Sequence, residues 1–365
     1  METGLPNLPT PTQKKRLVWL DLLRILASLM IITLNLITPQ LDKISVGTTS
    51  WQIINANVSA VRAATPLFVM VSGVLFLDIR KEMPLKKLFG VPIRKIVVIY
   101  LVWSCIYAIF TILTSDSPAS TDLFRDLVTL IIASHYHLWF LPILISLYIL
   151  SPFLRILIRS GGKPVLTYAV TLFFLGIVVQ TLLSSGNLLP NYQWLNLLAG
   201  KFPFGTIFLF TGYFLLGYSL VSVFELSRNK TRILYALGIA GVFAAALLTS
   251  RVSSRAGISD QRFSDRLSLM TLFEAVALFL FFKNIVGKVH FSRAAEDKIA
   301  GVSRLTLGVF LIHPIVIYFL EEVLGLSVFS ITPLLSIPSL TLLIFIISAV
   351  LIYLLKKIPF LCWIS

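Results

Sequence analysis

The sequence predicts an all-α, polytopic membrane protein of about ten spanning helices with both termini in the cytoplasm. Three observations carry that expectation. Hydrophobic residues fill 57% of the 365 positions and charged residues only 13%, with a mean hydropathy of +0.91, far from the balance of a soluble domain. Apolar runs of about 18 to 24 residues recur along the chain, each long enough to cross hydrocarbon as a helix. The basic residues, which set a formal net charge of +15, collect in alternate connecting segments and not in one patch. They therefore report membrane orientation and do not suggest nucleic-acid binding.

Residues 1–13 (METGLPNLPTPTQ) are rich in proline and poor in groups that could pack, so they read as a flexible tail before a single transmembrane domain, 14–365. Spans are expected at 17–38, 52–77, 96–114, 138–157, 164–184, 202–222, 232–249, 268–283, 304–322 and 334–355. The first is long enough to stay in the membrane, and no small-residue cleavage site follows it. Clusters such as Lys14–Arg16, Arg80–Lys95, Arg155–Lys163, Arg228–Arg232, Lys283–Arg304 and Lys356–Lys357 then fall on one side, which the positive-inside tendency makes cytoplasmic. No period of 20 to 50 residues recurs. Cys105 and Cys362 lie in or beside apolar segments, where packing suits them better than a disulfide or a metal site.

Three connecting stretches stand out. The segment 78–95 (DIRKEMPLKKLFGVPIRK) surrounds a short apolar patch with basic residues, a composition suited to lipid headgroups or to the rim of a cytoplasmic cavity. Before the fourth span, the segment 121–139 has Thr121 as a helix cap and an apolar-periodic run too short to cross, so an interfacial or re-entrant helix is expected. The outer stretch 250–266 (SRVSSRAGISDQRFSDR) carries Arg251, Arg255, Arg262 and Arg266 and reads as a loop that could attract an anion.

Charges inside spans cost roughly 2.5–3.5 kcal/mol each on insertion scales, so each needs a partner, water or a role. Arg24, Arg62 and Glu274 are such charges, with Asp21 and Asp78 near the inner boundary. Asp21 and Arg24 are close enough in sequence to pair on one helix. Arg24 and Asn35 lie eleven positions apart, a turn of about 1,100° and a rise of about 16 Å, so they share one helical face at different depths. Arg62 has Glu274 as the one carboxylate at similar depth, which suggests a cross-bundle pair or a shared acceptor site. His313 is about 13 Å into its helix, a depth similar to that of Asn35, and Pro314 after it frees a carbonyl. His137, beside Trp139, is expected at the outer mouth, where it could orient a substrate; His135 and His290 carry no expected role.

The strings WLDLLRILASLMIITLN, RAATPLFVMVSGVLF, YHLWFLPILISLYILSPFLR and SRLTLGVFLIHPIVI, in this order and spacing, resemble the integral membrane acyltransferases of acyltransferase family 3, especially the short bacterial type that O-acetylates cell-envelope polysaccharide. The resemblance runs from about Arg16 to Lys357. It implies a multi-pass protein of the bacterial inner membrane and a donor, acetyl-CoA or another acyl-CoA, entering from the cytoplasm. The acceptor would be a hydroxyl of a cell-envelope glycan or lipid-linked sugar, and no metal is implied. Arg24 would bind the donor's phosphates, joined by Arg94 and Lys95. His313 and His137 would be active-site residues. Arg62, Ser72, Trp139 and Glu274 would serve the substrate or the packing, with Ser72 and the adjacent Gly73 better suited to close helix contact than to nucleophilic attack.

In the family a basic residue and ten further positions lead to a histidine that acts as general base. Here Arg24 holds the first position and Asn35 the second. A carboxamide cannot take a proton near neutral pH, whereas imidazole can. The chain is therefore expected to bind donor and to turn over slowly or not at all. Three origins fit position 35: an inactivating substitution, a homologue that has lost activity, or an enzyme that uses another base, for which His313 is the candidate. A transporter or binding protein for a small polar solute is the rival class, against which stands the lack of an inverted repeat or paired broken helices.

Overall fold

Hydrocarbon offers backbone amides no partner, so a chain this apolar must satisfy them internally. The computed structural model describes residues 17–114, 123–184 and 205–359, and these form helices and connections with no strand. The tail 1–13, the cap Thr121 and Cys362 lie outside the described residues.

The helices run in the order α1 (Val18–Ile37), α2 (Thr49–Val61), α3 (Ala64–Phe76), α4 (Leu85–Leu88), α5 (Arg94–Thr114), α6 (Leu123–Ala133), α7 (Phe140–Ser184), α8 (Thr206–Ser222), α9 (Arg228–Ala256), α10 (Leu269–Asn284), α11 (Arg293–Ser303), α12 (Thr306–Tyr318) and α13 (Pro333–Leu355). Eight helical stretches among the described residues are long and apolar enough to cross a membrane, and α8 is a shorter apolar helix. Helix α7 is two passes, because Gly162 (φ 53°, ψ −144°) breaks it where only glycine is comfortable. The segments then correspond one for one to the expected spans, and the protein is an all-α, multi-pass membrane protein.

The second span is split between α2 and α3. Pro66 lacks the N–H that would bond the Arg62 carbonyl one turn back, so the helix breaks at Arg62 and Ala63. Thr48 caps α2 by accepting the Trp51 amide at 3.3 Å. Polar side chains zip α2 to α9: Asn55 donates to the Ala246 carbonyl at 2.8 Å, and Gln52 to Ser250 Oγ at 2.8 Å.

Helix α1 lies at the centre, with Leu23, Ile32 and Ile37 fully buried, and touches α2, α3, α10, α11, α12 and α13. Helices α3 and α8 meet backbone to backbone. A β-carbon at Gly73 would collide with the Phe214 carbonyl, and one at Gly217 with Met70, so the small residues set that distance. Arg155 holds the turn after α3 by donating to the carbonyls of Phe76 and Asp78, both at 2.9 Å, and of Lys81.

Two expectations need correction, those for the stretch 250–266 and for Cys105. The stretch 250–266 is not loop throughout: α9 continues to Ala256 and ends on Gly257 (φ 72°), because Thr249 and Ser253 find partners in Ser264 and the Asp260 amide. A helix about which the sequence made no statement precedes the ninth span: α11 is capped by Ser292, whose hydroxyl accepts the Ala295 amide at 3.3 Å, and is too polar and short to span. The short helix expected before the fourth span is α6, which has no buried residue. Cys105 is a free, exposed cysteine on α5, not a packed one.

Candidate active site

One face of α1 opens on two cavities. Arg24 lines one of about 260 Å³ with Val71, Ser72, Tyr148, Thr306 and Leu307. Asn35 lines the other, about 210 Å³, with Arg62, Thr65, His137, Trp139 and Arg266. Phe140 and Phe310 line both, and their rings meet edge to face with centroids 5.8 Å apart. This aromatic pair is the partition between the cavities.

The histidines gather at and behind the wall of the Asn35 cavity. Asn35 Nδ2 donates to His313 Nε2 at 2.7 Å. On its other side, His313 Nδ1 faces the carbonyls of Phe310 (2.8 Å) and Val309 (3.2 Å). Two carbonyls require that Nδ1 carry the proton, so Nε2 holds the lone pair and Asn35 must present its amide nitrogen. Pro314 explains why this works: its missing N–H leaves the Phe310 carbonyl without its helical donor, and the imidazole takes that place. His313 is fully buried and does not line the cavity. Asn35 stands between it and the open volume, so His313 positions the side chain at 35.

His137 lines this cavity. It is 2% exposed, and its ring lies 5.5 Å from that of His313. Its Nδ1 is hydrogen-bonded to His135 Nδ1 at 2.8 Å, one ring donating and the other accepting, while Nε2 has no partner among the described residues. His135, which carried no expected role, belongs to the site: Tyr107 stacks on it at 4.2 Å and donates to the Leu311 carbonyl at 2.7 Å. Burial pulls the His135 imidazole down to about 4. Burial, then His313 and His135, hold His137 well below the ordinary histidine value. Both are neutral near pH 7.

Arg62 lines the cavity, and its Nε has no partner among the described residues. The pair with Glu274 does not form as an ion pair. Glu274 is buried on α10, and its Oε1 has no partner among the described residues. Trp139 supports the Arg266 guanidinium, whose Cζ lies 4.1 Å above the ring.

In the Arg24 cavity, Ser72 and Tyr148 both face the open volume, and Tyr148 stacks on Phe76 at 3.8 Å. Arg94 and Lys95 do not line this cavity. They stand in the first turn of α5, whose lining residue is Ile96.

A family model described as an acyltransferase domain, that of acyltransferase family 3, matches residues 17–353. No curated protein and no solved structure matches the chain.

Proposed function

The chain belongs to this acyltransferase family, and on that premise we propose that it is an integral membrane O-acyltransferase scaffold. It would take acetyl-CoA, or another acyl-CoA, from the cytoplasm and face a hydroxyl of a cell-envelope glycan or lipid-linked sugar on the other side of a bacterial inner membrane. The observation that carries this reading is the Asn35–His313 contact at the wall of one cavity, with Arg24 on the same helix face in the other.

Direct transfer needs the acceptor oxygen to lose a proton as it attacks the thioester carbonyl, and the sulfur to leave as thiolate and gain one. Position 35 is where the proton acceptor belongs. A histidine there would donate one ring N–H to His313 Nε2 and turn its other nitrogen, with the lone pair, to the cavity. His313 would thus orient the base without touching substrate. Asn35 uses its amide to satisfy His313 and offers only a carbonyl oxygen, which can accept a hydrogen bond from the hydroxyl but cannot take its proton. Binding and proximity survive, and acid–base catalysis, typically worth about 10²- to 10⁴-fold, is lost.

Phe140 and Phe310 must part for thioester and hydroxyl to meet, so the acyl group crosses at their level. Arg62 and Arg266 line the acceptor cavity and suit a polar sugar over Trp139. The test is binding of radiolabelled acetyl-CoA to the purified chain. Saturable binding is expected; no binding, together with uptake of a polar solute into vesicles carrying the protein, would overturn the enzyme reading in favour of a carrier.

A further inference from the structure

A third cavity, of about 520 Å³, adjoins the one at Asn35. Gln180, Thr206, Arg262 and Asp265 line it, and it shares Trp139 and Arg266 with the Asn35 cavity. It shares no lining residue with the Arg24 cavity. Arg266 and Trp139 therefore stand where a ligand in this vestibule would reach toward position 35.

Arg62 and Arg266 are the only charged residues, among the described ones, that line the Asn35 cavity. Elsewhere in the fold arginines close on carboxylates: Arg262 on Asp260 at 2.6 Å, and Arg80 on Asp78 at 2.7 Å. Neither Arg62 nor Arg266 has such an ion pair among the described residues. Asp265 and Glu274 act on Arg62 through space, but neither lines the Asn35 cavity. Asp265 lines the vestibule, and its Oδ1 accepts the Leu267 amide at 2.8 Å. Arg62 Nε is buried without a hydrogen-bond partner, and a buried donor without an acceptor is costly, more so on a charged group. Arg266 lies over the Trp139 ring, with Cζ 4.1 Å from the centroid. That contact orients the guanidinium and leaves its in-plane N–H groups for an acceptor. Two guanidiniums on one enclosed volume, with no carboxylate in its wall, suit an oxyanion brought by a ligand.

We propose that Arg62 and Arg266 form an anion-binding subsite for the acceptor. The acceptor carries a carboxylate or phosphate close to the hydroxyl that meets position 35, and the rest of its chain lies in the vestibule. Its class is then an acidic glycan and not a neutral one. This assignment rests on the acyltransferase reading. Carboxylate and phosphate offer a guanidinium the same pair of accepting oxygens, so the test separates them.

The full chain in nanodiscs of phosphatidylcholine is titrated with a tetrasaccharide of alternating glucuronate and N-acetylglucosamine, and with the same chain methyl-esterified at its carboxylates. A second pair of probes is an N-acetylglucosamine tetramer with and without a terminal phosphate. The parent is expected to bind one of the acidic chains about tenfold more tightly than its neutral form, and which one it prefers identifies the oxyanion. Arg62→Gln and Arg266→Gln should each remove that preference and leave neutral binding unchanged. Arg62→Lys, which keeps the charge where the glutamine variant does not fold, should retain part of it. Arg251→Gln, exposed on α9, should bind as the parent does. No preference for either acidic chain would overturn the subsite, as would a preference that survives in both glutamine variants or is lost in Arg251→Gln. Acetyl-CoA binding in the same discs separates this from the enzyme reading. If the parent binds acetyl-CoA without preferring an acidic chain, the subsite falls and the enzyme reading stands. If it prefers an acidic chain through both arginines and binds no acetyl-CoA, the subsite stands and the enzyme reading falls.

Discussion

Asn35 and His313 are 278 positions apart in the chain and 2.7 Å apart in the fold. Each was legible alone, because a polar side chain in an apolar span is costly enough to need a reason. Their contact was foreshadowed only by similar depth. Tyr107 and His135 were not legible: an aromatic residue in a membrane helix and a histidine at its mouth are ordinary until packing puts one over the other. Replacing His313 with Ala in the parent orphans the Asn35 amide and the Phe310 carbonyl. A cost of about 1–3 kcal/mol per group follows, which a thermal melt in detergent should register. The buried His135 and His137 also set a pH dependence. Their folded values lie below the unfolded value of about 6.5, so between that pH and about 4 the unfolded chain binds more protons. Stability should be full above pH 6.5 and fall as pH drops toward 4. In His135→Gln/His137→Gln the fall should be smaller, as read by melting temperature against pH.

Helices were the most legible level, because length and apolarity decide a span. The break at Arg62 follows from Pro66 four residues on, a signal visible in the string RAATP. The extent of α9 was hidden because its last two turns are polar and are held by partners across the bundle. Helix α11 was hidden because it is too short and charged to stand out as a span. Two helix-level substitutions probe the packing. Gly73→Val drives a side chain into the Phe214 backbone and should cost about 1–3 kcal/mol, seen as a lower melting temperature and a smaller monodisperse yield. Pro314→Ala restores an N–H to the Phe310 carbonyl and so competes with His313 Nδ1 for that acceptor. In an Asn35→His background it should lower acyl transfer while the protein stays folded.

For the molecule as a whole, the charge map and motif order pointed to a donor side and an acceptor side, but not to how they are kept apart. Two cavities sharing Phe140 and Phe310 arise where the Phe140 ring of α7 meets the Phe310 ring of α12, which no local pattern encodes. Phe310→Ala should join the cavities. In the Asn35→His background, more coenzyme A should be released by hydrolysis when no acceptor is present, measured as free thiol. The most direct measurement compares the parent with Asn35→His for transfer of a radiolabelled acetyl group from acetyl-CoA to an envelope glycan. With both proteins folded and binding donor equally, the histidine variant should transfer about 10²- to 10⁴-fold faster. Equal or slower transfer by the histidine variant would contradict the assignment of position 35 as the site of the general base.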